Sequence, residues 1–121
     1  MKANTVIDNI NIQSLSNKID AVEFYLNDVQ PDFMLVTEHW LSKAKVDQIK
    51  FKGYTVATDF CRQRHIHGGV LILKKSSYST ERLGFLDNYC VERDIEVVGI
   101  HFRDENMILI AVYRSPLGNW K

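Results

Sequence analysis

Asp32-Phe33-Met34-Leu35-Val36-Thr37-Glu38-His39-Trp40-Leu41 is the stretch on which the fold turns. Residues 32–37 make an apolar run too short for a helix and suited to a strand covered on both faces. Pro31 stops whatever element precedes the run. Glu38 follows the strand directly. In α/β sheets the C-terminal ends of the strands are where ligands gather, so a carboxylate placed there invites a chemical reading.

Upstream, Ile19, Val22, Leu26 and Val29 recur at helical spacing and predict an amphipathic helix over 18–29. Asn17 is positioned to cap it, with Asp20 at the capping-box position. Val6 to Ile12 reads as a strand, and Ser14-Leu15-Ser16-Asn17 as a turn. A strand–helix–strand unit followed mainly by strands implies an α/β layered fold. Downstream, a short helix is expected within 43–49 and a strand over 54–60. A polar, basic loop covers 61–67, and Gly68-Gly69 opens the strand Val70-Leu71-Ile72-Leu73. Residues 76–94 have no single reading. Strands at 96–102 and 107–113 should form a hairpin through Arg103-Asp104-Glu105-Asn106. Ser115-Pro116-Leu117-Gly118 ends the pattern.

The chain has 121 residues, room for one small domain. Hydrophobic residues at 45% and charged residues at 25% place it with globular chains and against wholesale disorder. Fifteen Lys and Arg against fifteen Asp and Glu give no net charge. A global positive field is thereby excluded, and any nucleic-acid contact must come from a local cluster such as Arg62-Gln63-Arg64-His65. Cys61 and Cys90 fit no zinc spacing. Two free thiols in a reducing compartment are the favoured reading; a disulfide is possible but not required. Met1-Lys2-Ala3-Asn4-Thr5 leads into no apolar signal core, and no apolar run reaches membrane-spanning length. A soluble intracellular protein with no membrane partner is expected.

Several side chains are candidates for chemistry, each with a plainer alternative. Glu38 is a hard carboxylate with few acidic neighbours, which suits Mg²⁺; spacing alone favours a solvated glutamate at a loop start. Asn11, at the end of the first strand, could orient a water or a phosphate oxygen, or simply form a turn. Tyr113 and Arg114 close the last strand and could meet phosphate, although an aromatic edge packed on the sheet is the commoner use. His65 and His67 lack the further ligands zinc needs, so their loop reads as surface, with backbone contact to nucleic acid as the alternative. Gly68-Gly69 enters a strand and is therefore no phosphate cradle; the pair permits a tight turn or close backbone approach.

Taken in order, these segments resemble a known family. Asn11-Ile12-Gln13-Ser14-Leu15 with Asn17-Lys18-Ile19-Asp20 is similar to the opening of the endonuclease domain of non-LTR retrotransposons. That domain is a jockey-like, AP-type branch of the endonuclease/exonuclease/phosphatase superfamily, associated with reverse transcriptase. Pro31-Asp32 through Thr37-Glu38-His39-Trp40-Leu41 is the strongest match. Gly53-Tyr54, Arg64 through Gly68-Gly69-Val70, and Tyr113-Arg114-Ser115-Pro116 follow in family order, so the resemblance runs from residue 9 to 118. A phosphatase or lipid phosphodiesterase branch is the other option within the superfamily. The Thr37–Leu41 block speaks for the retrotransposon branch.

The resemblance implies a magnesium-dependent DNA endonuclease that hydrolyses a phosphodiester to nick its target. Glu38 would hold Mg²⁺ (or Mn²⁺), Asn11 would position the scissile phosphate or the attacking water, and Tyr113 would contact the phosphate. Arg64, His67 and Arg114 are secondary candidates for DNA contact. The family's later Gly-Asp-x-Asn and Ser-Asp-His segments, which carry the remaining carboxylate, amide and general base, do not occur in these residues. Residues 1–121 therefore read as the N-terminal portion of one such domain, inactive as an enzyme by itself. The alternative is a non-catalytic remnant that binds nucleic acid or protein. A nuclear location follows if genomic DNA is the target. The implied architecture is part of a four-layer α/β sandwich: one mixed or mostly antiparallel sheet with one main helix, its bare face prone to self-association.

Overall fold

The structure, a computed structural model, describes residues 4–116. Leu117 and Gly118, from the stretch that ends the pattern, lie outside the described residues, as do Met1 to Ala3. Strand β1 (Ile7–Asn11) leads to helix α1 (Ile19–Val29), which returns the chain to β2 (Phe33–Thr37). A short helix α2 (Lys43–Val46) precedes β3 (Tyr54–Phe60) and β4 (Val70–Lys75). After the two-residue β5 (Glu81–Arg82) and a 3-10 helix over Gly84–Tyr89 come β6 (Ile95–Phe102) and β7 (Met107–Arg114).

Two sheets form, not the single sheet expected. The first has the order β1-β2-β4-β3, and the second β5-β6-β7. In the first, β1 runs parallel to β2, with Asn11 in register with Thr37, and the other pairings are antiparallel. The second is wholly antiparallel. The 96–102 and 107–113 hairpin is present, and its turn is a 3-10 segment closed by Asn106 in the left-handed conformation. Alternation along β6 and β7 identifies an inward face but not what that face meets. It meets the other sheet.

This arrangement explains the continuous apolar run at 33–37, where every residue is buried. Met34 and Val36, with Leu71 and Leu73 of β4, pack beneath α1 on Val22 and Leu26. Phe33 and Leu35, with Val70 and Ile72, face the opposite way onto Val98, Ile100, Phe102, Leu109 and Ala111 of the second sheet. A strand sandwiched between a helix and a sheet can carry no polar alternation. The bare sheet face expected from the sequence is therefore filled by the chain's own hairpin.

Helix α1 matches its predicted span, but its cap does not. Lys18 occupies the N-cap position without a side-chain capping bond. Its ammonium instead donates to the carbonyls of Ile12 and Gln13, at 3.0 and 2.8 Å. The helix ends at Gln30 in left-handed conformation, just before Pro31. Asp32 is fully buried and ties down the N-terminal end of β2: it accepts from the Val6 amide at 2.8 Å and from the Tyr78 hydroxyl, and pairs with Lys75 at 3.3 Å. No helix among the described residues is long and apolar enough to cross a membrane.

Candidate functional site

The first sheet does not stop where β2 does. The Ile12, Ser14 and Leu15 amides donate to the carbonyls of Thr37, Glu38 and His39, each at 3.0 Å. On the other flank the Trp40 amide donates to Gly68 at 2.9 Å. Residues 38–40 are thus held from both sides by the ends of β1 and β4. That double hold keeps Glu38 and Trp40 in the left-handed region, at φ 56° and 60°, where non-glycine residues are disfavoured. Gln13, Ser14 and His67 at the same edge also have positive φ. Strained backbone of this kind, about 1–3 kcal/mol per residue, concentrates at functional edges.

Beside this edge lies a cleft of about 560 Å³. Glu38, Arg62, Arg64, His65, His67, Arg93 and Tyr113 supply its polar walls, with Ile66, Gly68, Ser115 and Pro116. Glu38 is the acidic side chain in this lining. Burial raises the Tyr113 phenol above its ordinary pKa, and the charge and hydrogen bond of Glu38 add to the rise. Tyr113 therefore remains a protonated donor at neutral pH.

The basic loop above Glu38 is pinned by two carboxylates. Glu92 accepts from the backbone amides of Gln63, Arg64 and His65, at 2.9, 2.7 and 2.8 Å, and from His65 Nδ1 at 2.8 Å. Burial alone would raise its pKa; these four donors outweigh burial and hold it at about 2. Glu96 is fully buried and accepts from Arg62 Nε at 2.5 Å, from the Gly69 amide at 2.7 Å and from the Arg93 amide at 2.8 Å. With Arg62 committed to Glu96 and His65 to Glu92, the guanidinium groups left facing the cleft are those of Arg64 and Arg93, and the His67 ring lines it beside them.

Under the loop, His39 is fully buried. The Leu41 amide donates to its Nδ1 at 2.9 Å, so the proton sits on Nε2 and is donated to the Phe60 carbonyl at 2.9 Å. Gly69 lies against this ring with φ 88°; a Cβ there would overlap the imidazole. The glycine pair thus serves close backbone approach. Cys61, near the same imidazole, and Cys90 are both free thiols. Burial, reinforced by Asp59, pushes Cys61 up to about 12.

Glu38 and Tyr113 are brought together, and Arg64 and His67 line the same cleft. Asn11 ends β1 at the same sheet edge, exposed and level with Thr37, but outside the cleft lining. Arg114 is exposed, pairs in register with Ile95, and is also outside the lining. Strand alternation turns it to the face of β7 opposite Tyr113. Glu92 and Glu96 were not anticipated from the sequence. A partial signal for Glu96 was available: an acid inside the apolar run Ile95-Glu96-Val97-Val98 stands out, and one that is buried needs a partner.

Among the described residues, no group of three or more His, Cys, Asp or Glu side chains is arranged to hold a metal ion. A hard divalent ion that keeps several waters takes one or two carboxylates, and Glu38 is the carboxylate that this cleft offers. No protein-family model and no curated protein matches the chain.

Proposed function

We propose that the cleft binds the phosphodiester backbone of DNA, with Mg²⁺ (or Mn²⁺) at Glu38, as part of an endonuclease site of the kind the sequence resembles. The observation that carries this reading is the shared cleft of Glu38 and Tyr113, set at a strained strand edge beneath a pinned cationic loop. When bound, the ion would stabilise negative charge on the phosphoryl oxygens. Glu38 anchors it, Tyr113 donates its phenol to a phosphate oxygen, and Arg64 and Arg93 hold the flanking backbone. Asn11 stands at the same edge and contributes if the substrate extends across β1. The four-layer sandwich of that superfamily belongs to this reading; a helix layer, two facing sheets and a short 3-10 helix beyond the second sheet support it. A nuclear site of action follows if the target is genomic DNA.

The 121-residue chain contains neither the Gly-Asp-x-Asn nor the Ser-Asp-His segment, so alone it is expected to bind without cutting. A binding module without catalysis is the second reading, favoured by the rigid anchoring of the loop on Glu92 and Glu96. Mn²⁺ tests the metal assignment: water-proton relaxation should report binding to the chain and lose it in Glu38→Gln. DNA affinity should fall steeply with salt, with the log–log slope reduced by about 1 in Arg64→Ala. Relaxation unchanged by Glu38→Gln, or affinity indifferent to salt, overturns the reading. Metal-dependent nicking of plasmid DNA by the chain, lost in Glu38→Gln, would instead show that it needs no further segment for catalysis.

A further inference from the structure

Trp40 and His67 have no part in the phosphate chemistry above, yet they form the most exposed ring pair among the described residues. Their rings stack at 4.0 Å between centroids and 26° between planes. Trp40 is 37% exposed and belongs to neither hydrophobic cluster, and His67 is exposed in the cleft lining. Both sit in left-handed backbone, at φ 60° and 68°. A fold that holds two ring-bearing residues in disfavoured conformations, and buries neither, gains no core packing from them. The indole Nε1 lies 3.4 Å from Glu38 Oε1, which puts the stack one group away from the carboxylate. Ile66, 77% exposed, adds an apolar flank on the same loop.

We infer that Trp40 and His67 form a stacking platform for an unpaired nucleobase, adjacent to the phosphate held at Glu38. This inference rests on the phosphate-binding reading of the cleft. Every base has a π-face, so the platform selects for an unstacked base and not for a particular sequence. Trp40 backs the His67 ring, and a base entering the cleft would extend the two-ring stack to three. A paired base, already stacked on both sides, would have no free face to offer. The platform therefore directs the cleft toward a single strand, or toward a position where the duplex is opened.

The experiment compares oligothymidylate with an abasic oligomer of equal length, which keeps every phosphate and lacks every base. Trp120→Phe in the full chain leaves Trp40 as the emitting indole. Oligothymidylate should quench that emission and bind about tenfold more tightly than the abasic oligomer. Trp40→Ala should lower oligothymidylate affinity to the abasic level, and Trp40→Phe should restore most of the difference. Equal affinities for the two oligomers in the unsubstituted chain overturn the platform while leaving phosphate binding intact, and that comparison depends on no variant folding. Absence of salt-dependent binding to either oligomer overturns the phosphate reading and the platform together.

Discussion

His39 enters the fold uncharged. Burial lowers its pKa below 6.5, against the opposing pull of the Phe60 carbonyl and the charges of Asp59 and Glu96. The unfolded imidazole takes up a proton more readily than the folded one, so acid favours unfolding. Its contribution is complete above pH 6.5 and drains as pH falls from there toward the lowered value. Glu92 acts in the same direction further down: with a folded pKa of about 2 against 4.5, its stabilisation holds above pH 4.5 and is lost between 4.5 and 2. Urea midpoints should accordingly begin to fall near pH 6.5, and His39→Gln should flatten that first step. A midpoint constant from about pH 7 to about pH 5 would mean that His39 is not held neutral. At this scale the sequence was uneven. Glu38 was legible as a candidate because it follows a covered strand, and Tyr113 because it lies at the end of the last strand. Glu92 and Glu96 act on amides some thirty residues earlier in the chain, and no local pattern encodes a partner at that separation.

Gly69 decides whether the β2 and β4 ends can meet. It packs its bare Cα face on the His39 imidazole at a φ of 88°, and the Glu96 carboxylate accepts its amide. Gly69→Ala would need the ring to move and a left-handed alanine as well. The expected loss is more than about 1 kcal/mol, read as a lowered melting temperature with weaker DNA binding in proportion. An unchanged melting temperature would show that the close approach is not required. Elements with a covered strand's composition or a helix's period were readable: α1, β2, β3, β4 and the β6–β7 hairpin follow from their sequences. Asn17 was not the cap, because Lys18 satisfies carbonyls of the preceding turn instead. The division into two sheets was not readable either, since alternation reports which side chains point together and nothing about the layer they meet. Residues 76–94 stayed ambiguous for a related reason. Their longest element is a six-residue 3-10 helix, whose Leu86, with Leu83 before it, leans on Gly99 of β6. Contact with another strand, more than any intrinsic period, gives it shape.

Across the whole molecule the facing sheets bury their inner sides, and exposed apolar surface gathers on the outer side of β7. Ile108, Ile110 and Val112 are 59%, 45% and 51% exposed, at alternate positions along the last strand of the second sheet. An edge strand with an apolar outer stripe is a template for pairing with another chain. The purified chain should self-associate with rising concentration in sedimentation velocity, and Ile110→Lys should return it to monomer. A monomer at every concentration before substitution would dismiss this surface as an association site. The parallel register of β1 on β2 bears on the order of assembly. The β6–β7 hairpin closes through a local turn and can zip within microseconds. β1 must wait for α1 to carry the chain across before Asn11 reaches Thr37, and β4 must then arrive on the far side of β2. The cleft draws its walls from the ends of β2 and β7 and the loop into β4, so it comes into being only when the slowest of these pairings is complete. A nucleic acid lodged there would act as a latch on the finished molecule, slowing its opening and leaving the early steps of its formation untouched.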